Sequence, residues 1–429
     1  MIENEIYHTL RQSDSFYAES KFAEAKSMLL DNLQPHPVFY FKLGQCELAL
    51  ENLDEAWKWF DKAEEESNHF FDPLEGKACV KLWKSEYADA ISYFKAAQSK
   101  LKENYTNDIP QEELEATLLR LDAEISFCNL QLGKDTVQFF PGKQNLLASD
   151  PEVTLSNCIE NHMRIMVQMT EGIGEQIAIS TIFNEVINDF ESVIVRCQPK
   201  LIPLFEKTFR DIQFVSSEDR IDHLDHEVII EMNTLANLYR KSRRDFDRPS
   251  FPMFHVDQKK VYEFRKMFYD GRPIIGIIWN SPNSAVKFSK KNIPLENFEC
   301  ILRDNRYKFV SLQYGEPNND IEKLGYDIEP RADVDVYDDV ENLFCLIGSC
   351  DAVIGSSNTA HIISGSMGIP SFNLSHSGLG KMWIWRIAQH GRSLLFPHVR
   401  IIETKDGSSN WSVPISKLQE ELAELFKRD

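Results

Sequence analysis

The sequence predicts an α + α/β chain: helical repeats first, then two doubly wound halves in which strands alternate with helices. Three observations predict it. Residues of matched size recur at a fixed interval between about 40 and 97. Beyond about 140, short β-branched runs alternate with helical segments. A turn-rich break at 270–273 then divides that alternation in two. A length of 429 residues fits two or three domains. The expected division is 1–138 for the repeats, 139–270 for the first α/β half and 271–429 for the second.

The repeat comes first in the chain. Gly44, Ala56, Phe60 and Ala63 recur as Ala78, Ala90, Phe94 and Ala97, an interval of 34 residues. Tyr40 and Leu43 fill the positions just before Gly44, and Leu74 precedes Ala78. One unit earlier, Phe22, Ala25 and Leu29 follow the pattern less completely, and Pro35 and Pro37 close that unit. Small residues let two antiparallel helices approach, and the aromatic and alanine positions then stack on the next unit. The pattern resembles the tetratricopeptide repeat (TPR). A last helix is expected at 111–133, with Leu118, Leu121, Ile125, Cys128 and Leu132 at helical spacing. About three helix pairs and a capping helix result. Such an array offers a concave surface to a protein or peptide, or it braces the next domain or a homo-oligomer. It does no chemistry itself.

In the remainder, strands are expected at 192–197, 227–230, 274–279, 308–313, 352–355, 371–374 and 400–403. Helices are expected at 175–189, 200–208, 258–269, 295–303, 340–347 and 359–367, with a terminal amphipathic helix at 415–427. This alternation implies βαβ units and parallel sheets. Two such halves place a cleft between the C-terminal ends of their strands, where nucleotides bind.

Composition excludes several function classes. There are 67 acidic and 47 basic residues, a formal net charge of −20. That surface repels nucleic-acid phosphates and anionic lipid, though a local basic pocket remains possible. No apolar run reaches the roughly 18–20 residues that span a bilayer, and the polar N-terminus lacks a signal-peptide pattern. The eight cysteines are scattered without a CxxC pair. They read as reduced thiols of a cytoplasmic protein, not as a zinc site or disulfide framework.

Three motifs carry candidate chemistry. In the first, Gly172 and Gly174 permit close backbone approach to a ligand, and Glu175 stands at the start of a helix. That carboxylate either accepts a proton from a hydroxyl or complements the helix dipole. In the second, the buried strand ending at Trp279 empties into a polar turn opened by Asn280, with Lys287, Lys290 and Lys291 beyond it. These lysines either meet a diphosphate or form a solvated basic loop. The third runs from a strand into Ser356, Ser357, Asn358 and Thr359 at a helix start. Capping accounts for one of these four residues, and the others can donate to phosphate oxygens. His361, one turn inside, is either a core histidine or a donor contact. Asp333 and Asp335 have the spacing of a metal pair but precede the 340–347 helix in a loop, so they read as solvated.

These motifs together resemble the bacterial TPR-containing glycosyltransferases related to the lipopolysaccharide heptosyltransferases, which are two-domain GT-B enzymes with Rossmann-like halves. The resemblance covers roughly residues 165–412. Its elements are Gly172-Ile173-Gly174-Glu175, then Pro199, Leu201, Pro203, Leu204 and Phe205, then the strand from Arg272 to Trp279. Lys291-Asn292-Ile293-Pro294, the strand from Phe309 to Gln313, the loop and helix through Pro370, and the pair Trp383 and Trp385 complete it. The resemblance implies metal-independent, inverting transfer of a sugar from a nucleotide sugar to a hydroxyl, with no cofactor. It implies Glu175 as general base, in place of the family's aspartate. Ser356–His361 and the lysines would hold the donor diphosphate, with Trp279 and Gln313 flanking the nucleotide. The acceptor would be a protein or peptide bound by the TPR part. Two departures stand out: Ser357-Asn358 replaces the family's Asp-Thr, and His361 lies seven residues before Gly368 where six are usual. They leave open an inactive cleft in a protein that serves assembly.

Overall fold

A computed structural model describes residues 2–19, 21–67, 70–105, 110–134, 140, 146–148, 150, 152–280, 291–315, 318–331, 334–376, 382–404 and 410–427. The chain begins with seven helices: α1 Ile2–Ala18, α2 Phe22–Asp31, α3 Pro37–Ala49, α4 Leu53–Glu66, α5 Asp72–Trp83, α6 Tyr87–Tyr105 and α7 Gln111–Gln131. They pack as consecutive antiparallel pairs with α7 closing the row. α3 starts where Pro37 presets the helical φ and the His36 Nδ1 accepts the Val38 amide at 3.2 Å.

The residues of the 34-residue pattern form the array's core. Ala56, Phe60, Ala63, Ala78, Ala90, Phe94 and Ala97 are all fully buried. Phe60 shows how units stack. A Cβ placed on Gly44 of α3 would lie 2.5 Å from its ring, and one on Gly76 of α5 would lie 2.6 Å from it. The ring therefore fills the space that two glycines leave on its two sides. Leu132 departs from expectation: α7 ends at Gln131, and Leu132 is its exposed C-cap.

The first sheet holds β1 Leu146–Ala148, β2 Arg164–Gln168, β3 Ser192–Cys197, β4 Gln213–Ser216 and β5 Val228–Glu231, in the order β1-β5-β2-β3-β4. All pairs are parallel except β1 with β5. The second holds β6 Ile274–Ile278, β7 Lys308–Ser311, β8 Ile328–Glu329, β9 Ala352–Ser356, β10 Ser371–Ser375, β11 Ala388–Gln389, β12 Arg392–Ser393 and β13 Val399–Glu403. Their order is β11-β12-β13-β10-β9-β6-β7-β8, parallel from β13 to β8. β6 is buried on both faces, which is why it reads as a continuous apolar run. In each sheet the first parallel strand lies inside, with the next strands on one side and a later strand on the other. That is the Rossmann order, and it puts switch points between β2 and β5 and between β6 and β9.

The helix expected at 175–189 is interrupted. It runs Ile173–Ile179, tightens into a 3-10 turn at Ser180–Ile182, and resumes as Phe183–Asp189. The Ser180 and Thr181 hydroxyls donate to the carbonyls of Ile177 and Ala178, at 2.7 and 2.8 Å. Such local back-bonding competes with the regular ladder. The helix expected at 295–303 likewise begins as a 3-10 turn, Leu295–Phe298.

The chain reaches the second half before its first strand does. Helix Gln258–Phe268 packs on Val340–Gly348, where the Lys260 Nζ donates to Asn342 at 2.8 Å. Arg265 clamps the Ser349 carbonyl at 3.0 Å and Asp351 at 2.9 Å. The halves are also joined by ion pairs, Lys200 with Asp338 and Lys207 with Glu341. All eight cysteines are free thiols, and Cys300 alone among them is exposed. Among the described residues no helix is long and apolar enough to cross a membrane.

Candidate functional site

The loop after β2 leads into helix Ile173–Ile179. Gln176, fully buried, stitches it down: its Nε2 donates to the Glu171 carbonyl at 2.7 Å, and its Oε1 accepts the Gln198 amide at 3.0 Å. The loops after β2 and β3 are thereby tied together. Gly172 is the N-cap, and the Glu175 side chain folds back over it. A Cβ on Gly172 would lie 2.9 Å from the Glu175 Oε2. Gly174 is needed for a different reason. A Cβ there would lie 2.7 Å from the Ile362 Cδ1 and 3.3 Å from the Thr359 Oγ1. Only a glycine lets this helix start meet helix Thr359–Ser366 of the second half.

Burial raises the Glu175 pKa above the usual carboxylate range. Its own backbone N–H opposes the rise, Glu171 adds to it, and Lys291 opposes it. Lys291 answers in kind: burial lowers its pKa, and Glu175 raises it. These two residues, named separately in the sequence, are brought together across the cleft.

Near the end of β9 stands Gly355 at φ +134°, where a Cβ would strike the Ile278 carbonyl oxygen at 1.7 Å. Ser356 is fully buried, and its Oγ has no partner among the described residues. Asn358 is the N-cap of helix Thr359–Ser366: its Oδ1 accepts the Ala360 amide at 2.8 Å, while its buried Nδ2 has no partner among the described residues. The Ser357 Oγ is already engaged, accepting the Trp385 indole N–H at 2.7 Å. Thr359, half-buried, faces Gly174.

Three residues expected to touch a donor are turned inward instead. His361 is fully buried, with Nδ1 2.7 Å from the Ser371 Oγ and Nε2 3.2 and 3.1 Å from the carbonyls of Gly355 and Ser356. Burial lowers its pKa to about 4, so it is neutral at pH 7, and the carbonyls fix the proton on Nε2. It braces the loop from beneath. The Gln313 Oε1 accepts the amides of Trp279 and Asn280 at 3.2 and 2.9 Å, and its Nε2 donates to the Asn280 carbonyl at 3.0 Å. Trp279 lies in the core with its indole N–H on Asp320 at 3.2 Å. Gln313 thus fixes the backbone at Trp279 and Asn280, just past β6, where Asn280 is exposed. Lys287 lies outside the described residues, as does Asp333. Asp335 caps a turn by accepting the amides of Tyr337 and Asp338. Among the described residues no group of three or more His, Cys, Asp or Glu side chains could hold a metal ion.

Sequence reading missed Gln176, Ser371 and Asn373. Asn373 is fully buried on β10 opposite Gly355, and among the described residues neither its Oδ1 nor its Nδ2 has a partner. The signal was present: Ser371, Asn373 and Ser375 alternate with Phe372 and Leu374, which marks a strand with one polar buried face.

Two helix starts therefore meet at the switch points of the two sheets, with a half-buried carboxylate at the first and Lys291 near enough to interact with it. Such a set can take a proton from a hydroxyl and stabilise a leaving anion.

No protein-family model matches the chain. Among curated proteins it is similar to Protein FlbA of Caulobacter vibrioides, with 23% identity over 243 residues, 49% of this chain and 39% of that one. The chain thus matches about two fifths of that relative's length. Similar solved structures include E. coli ADP-heptose LPS heptosyltransferase II, at 12% identity and TM-score 0.43, covering 61% of this chain and 98% of that one. A glycosyl transferase family 9 protein from Veillonella parvula gives 13% and 0.43, covering 61% and 90%. The TPR2B domain of yeast Sti1, solved with pHsp70, gives 18% and 0.23, covering 28% and 96%.

Proposed function

We propose that the chain is a glycosyltransferase that moves a sugar from a nucleoside diphosphate sugar to an acceptor hydroxyl, on a polypeptide held by the helical array. The observation that carries this reading is Glu175. Its carboxyl is raised by burial and lies at one switch point, against the helix start that opens the other. In the proposed step the acceptor hydroxyl attacks the anomeric carbon and its proton passes to Glu175. The bond from that carbon to the diphosphate oxygen breaks. The positive end of helix Thr359–Ser366 and the Lys291 ammonium receive the charge on the departing diphosphate. Attack in line from the opposite face inverts the anomeric centre.

A screen of nucleoside diphosphate sugars, reading the released nucleoside diphosphate, tests this. Wild type turns over at least one donor, and Glu175→Gln loses about 10²–10⁴-fold in rate, as expected for a general base. No turnover with any donor, across a range of candidate polypeptides, overturns the reading.

A second reading is an inactive cleft in an assembly protein. The specific observation behind it is that Gln313, Ser357 and His361 spend their polar atoms internally. It predicts no turnover, and partner binding that survives both Glu175→Ala and Lys291→Ala.

A further inference from the structure

The last helix of the array grips the second half through one narrow strip. Glu124, Phe127 and Gln131 lie at i, i+3 and i+7 on α7, so they share one face. The Arg386 guanidinium meets both Glu124 carboxylate oxygens, one of them at 2.8 Å. Its Cζ sits 4.2 Å from the centre of the Phe127 ring. The Gln131 Nε2 donates to the Ala388 carbonyl at 3.1 Å. Both partners of the ion pair are mostly buried, with side chains 20% and 18% exposed.

Arg386 ends the four-residue helix Trp383–Arg386, and its neighbour Trp385 points the other way. Trp385 is fully buried. Its indole N–H donates to the Ser357 Oγ at 2.7 Å, and its ring meets His361 edge-on at 6.3 Å. His361 in turn holds the Gly355 and Ser356 carbonyls. A helix of one turn has no stability of its own, so its place is set by what its side chains grip. This one is held at one end by α7 and at the other by the loop after β9.

We propose that Trp385 and Arg386 are positioning residues for the loop at 355–358, and that the helical array, acting through Glu124 and Phe127, is what holds that loop in its binding geometry. The array is then a structural part of the second half's site as well as a docking surface. The consequence for donor binding rests on the glycosyltransferase reading, whereas the ordering of the loop does not.

Amide hydrogen exchange on the full chain separates the two. Trp385→Phe removes the indole N–H and leaves the buried ring smaller, and exchange across 355–361 rises at least about fivefold, the worth of one net hydrogen bond. Glu124→Gln keeps the shape of α7 and breaks the charge pair about 260 residues away in sequence, and the same segment loosens by a similar factor. Arg386→Lys, which keeps the charge but loses the two-pronged geometry, does likewise. Lys84→Ala breaks an exposed pair with Asp54 elsewhere in the array and leaves the segment unchanged. Calorimetry with ADP, UDP, GDP and CDP is the second arm, and each of the first three variants weakens whichever nucleotide wild type binds by about fivefold. The proposal is overturned if 355–361 exchanges as in wild type in Glu124→Gln, or if Lys84→Ala loosens it equally. If wild type binds no nucleotide, the donor reading fails, and the exchange result still decides the relay.

Discussion

His361 shows how much a single side chain's direction decides. Its residue type and its place one turn into a helix were legible in the sequence, and both fit a donor contact. The structure spends both ring nitrogens on Ser371 and the loop carbonyls. Polar residues at strand ends can be located from sequence, but which way they turn depends on partners far away, here a serine on the next strand. Gln313 and Trp279 follow the same logic. The consequence of the inward turn is measurable. The His361 pKa is depressed from 6.5 to about 4 by burial. Below 6.5 the unfolded chain takes up a proton that the folded chain refuses, so stability falls as pH drops from about 6.5 toward 4. Above 6.5 this contribution is fully present. His361→Asn removes that slope and also costs about 1–3 kcal/mol at pH 7, because Ser371 and the two carbonyls lose their partner. Denaturant unfolding at stepped pH checks both. Glu175 has the opposite sign. Its carboxyl is raised, so burial disfavours the ionised form in the fold, and this cost appears as pH rises through the raised value. Glu175→Gln is expected to raise Tm at pH 7–8, with the gain vanishing below the ordinary carboxylate range. A Tm gain equal at pH 4 and pH 8 contradicts that account.

Among the elements, the helical array was the most legible because its 34-residue interval repeats the same packing problem. The pattern located Gly44, Ala56 and Phe60, and all three sit at the α3–α4 contact. It passed over Gly76, because the interval assigned the next small position to Ala78. Both small residues are used: Ala78 in its own pair, Gly76 against the Phe60 ring of the previous unit. Gly76→Ala puts a methyl 2.6 Å from that ring, which the ring cannot leave without displacing Gly44 in turn. The expected cost is about 1–3 kcal/mol of overpacking, set against about 1 kcal/mol of helix propensity gained. Phe60→Leu in the Gly76→Ala background recovers part of the loss, and chemical denaturation reads it. The α/β strands were less legible where they are short. β2 and β4 were not expected: β2 offers three apolar residues between Arg164 and Gln168, and β4 has only four residues. β8, β11 and β12 have two residues each, too few for any period to show. Their existence depends on neighbours in the sheet rather than on their own pattern.

At the scale of the whole molecule, the alternation of strands and helices was readable, but the strand order was not. That order fixes which loops face each other. It places the ends of β2 and β9 at the switch points, and so brings Glu175, Lys291 and the helix start at Asn358 from separate motifs into one neighbourhood. The charge read at the outset then acquires a consequence. The chain carries a formal −20, while the cleft presents a lysine and two helix starts to an anion. On the glycosyltransferase reading, a nucleoside diphosphate, with about two to three negative charges, meets repulsion at long range and attraction at short range. The two respond differently to salt. At about 10 mM the Debye length is roughly 30 Å, so the whole acidic surface is felt, whereas at 150 mM it is about 8 Å and mainly the groups of the cleft act. Association of a bound nucleoside diphosphate is thus expected to speed up severalfold between 10 and 150 mM salt, the reverse of the slowing seen where a basic surface steers an anion. Dissociation, governed by contacts within the cleft, should change less. Stopped-flow measurement of both rates across that range distinguishes the cases: association that slows steadily from the lowest salt upward would mean that the local cations outweigh the −20 exterior even at long range.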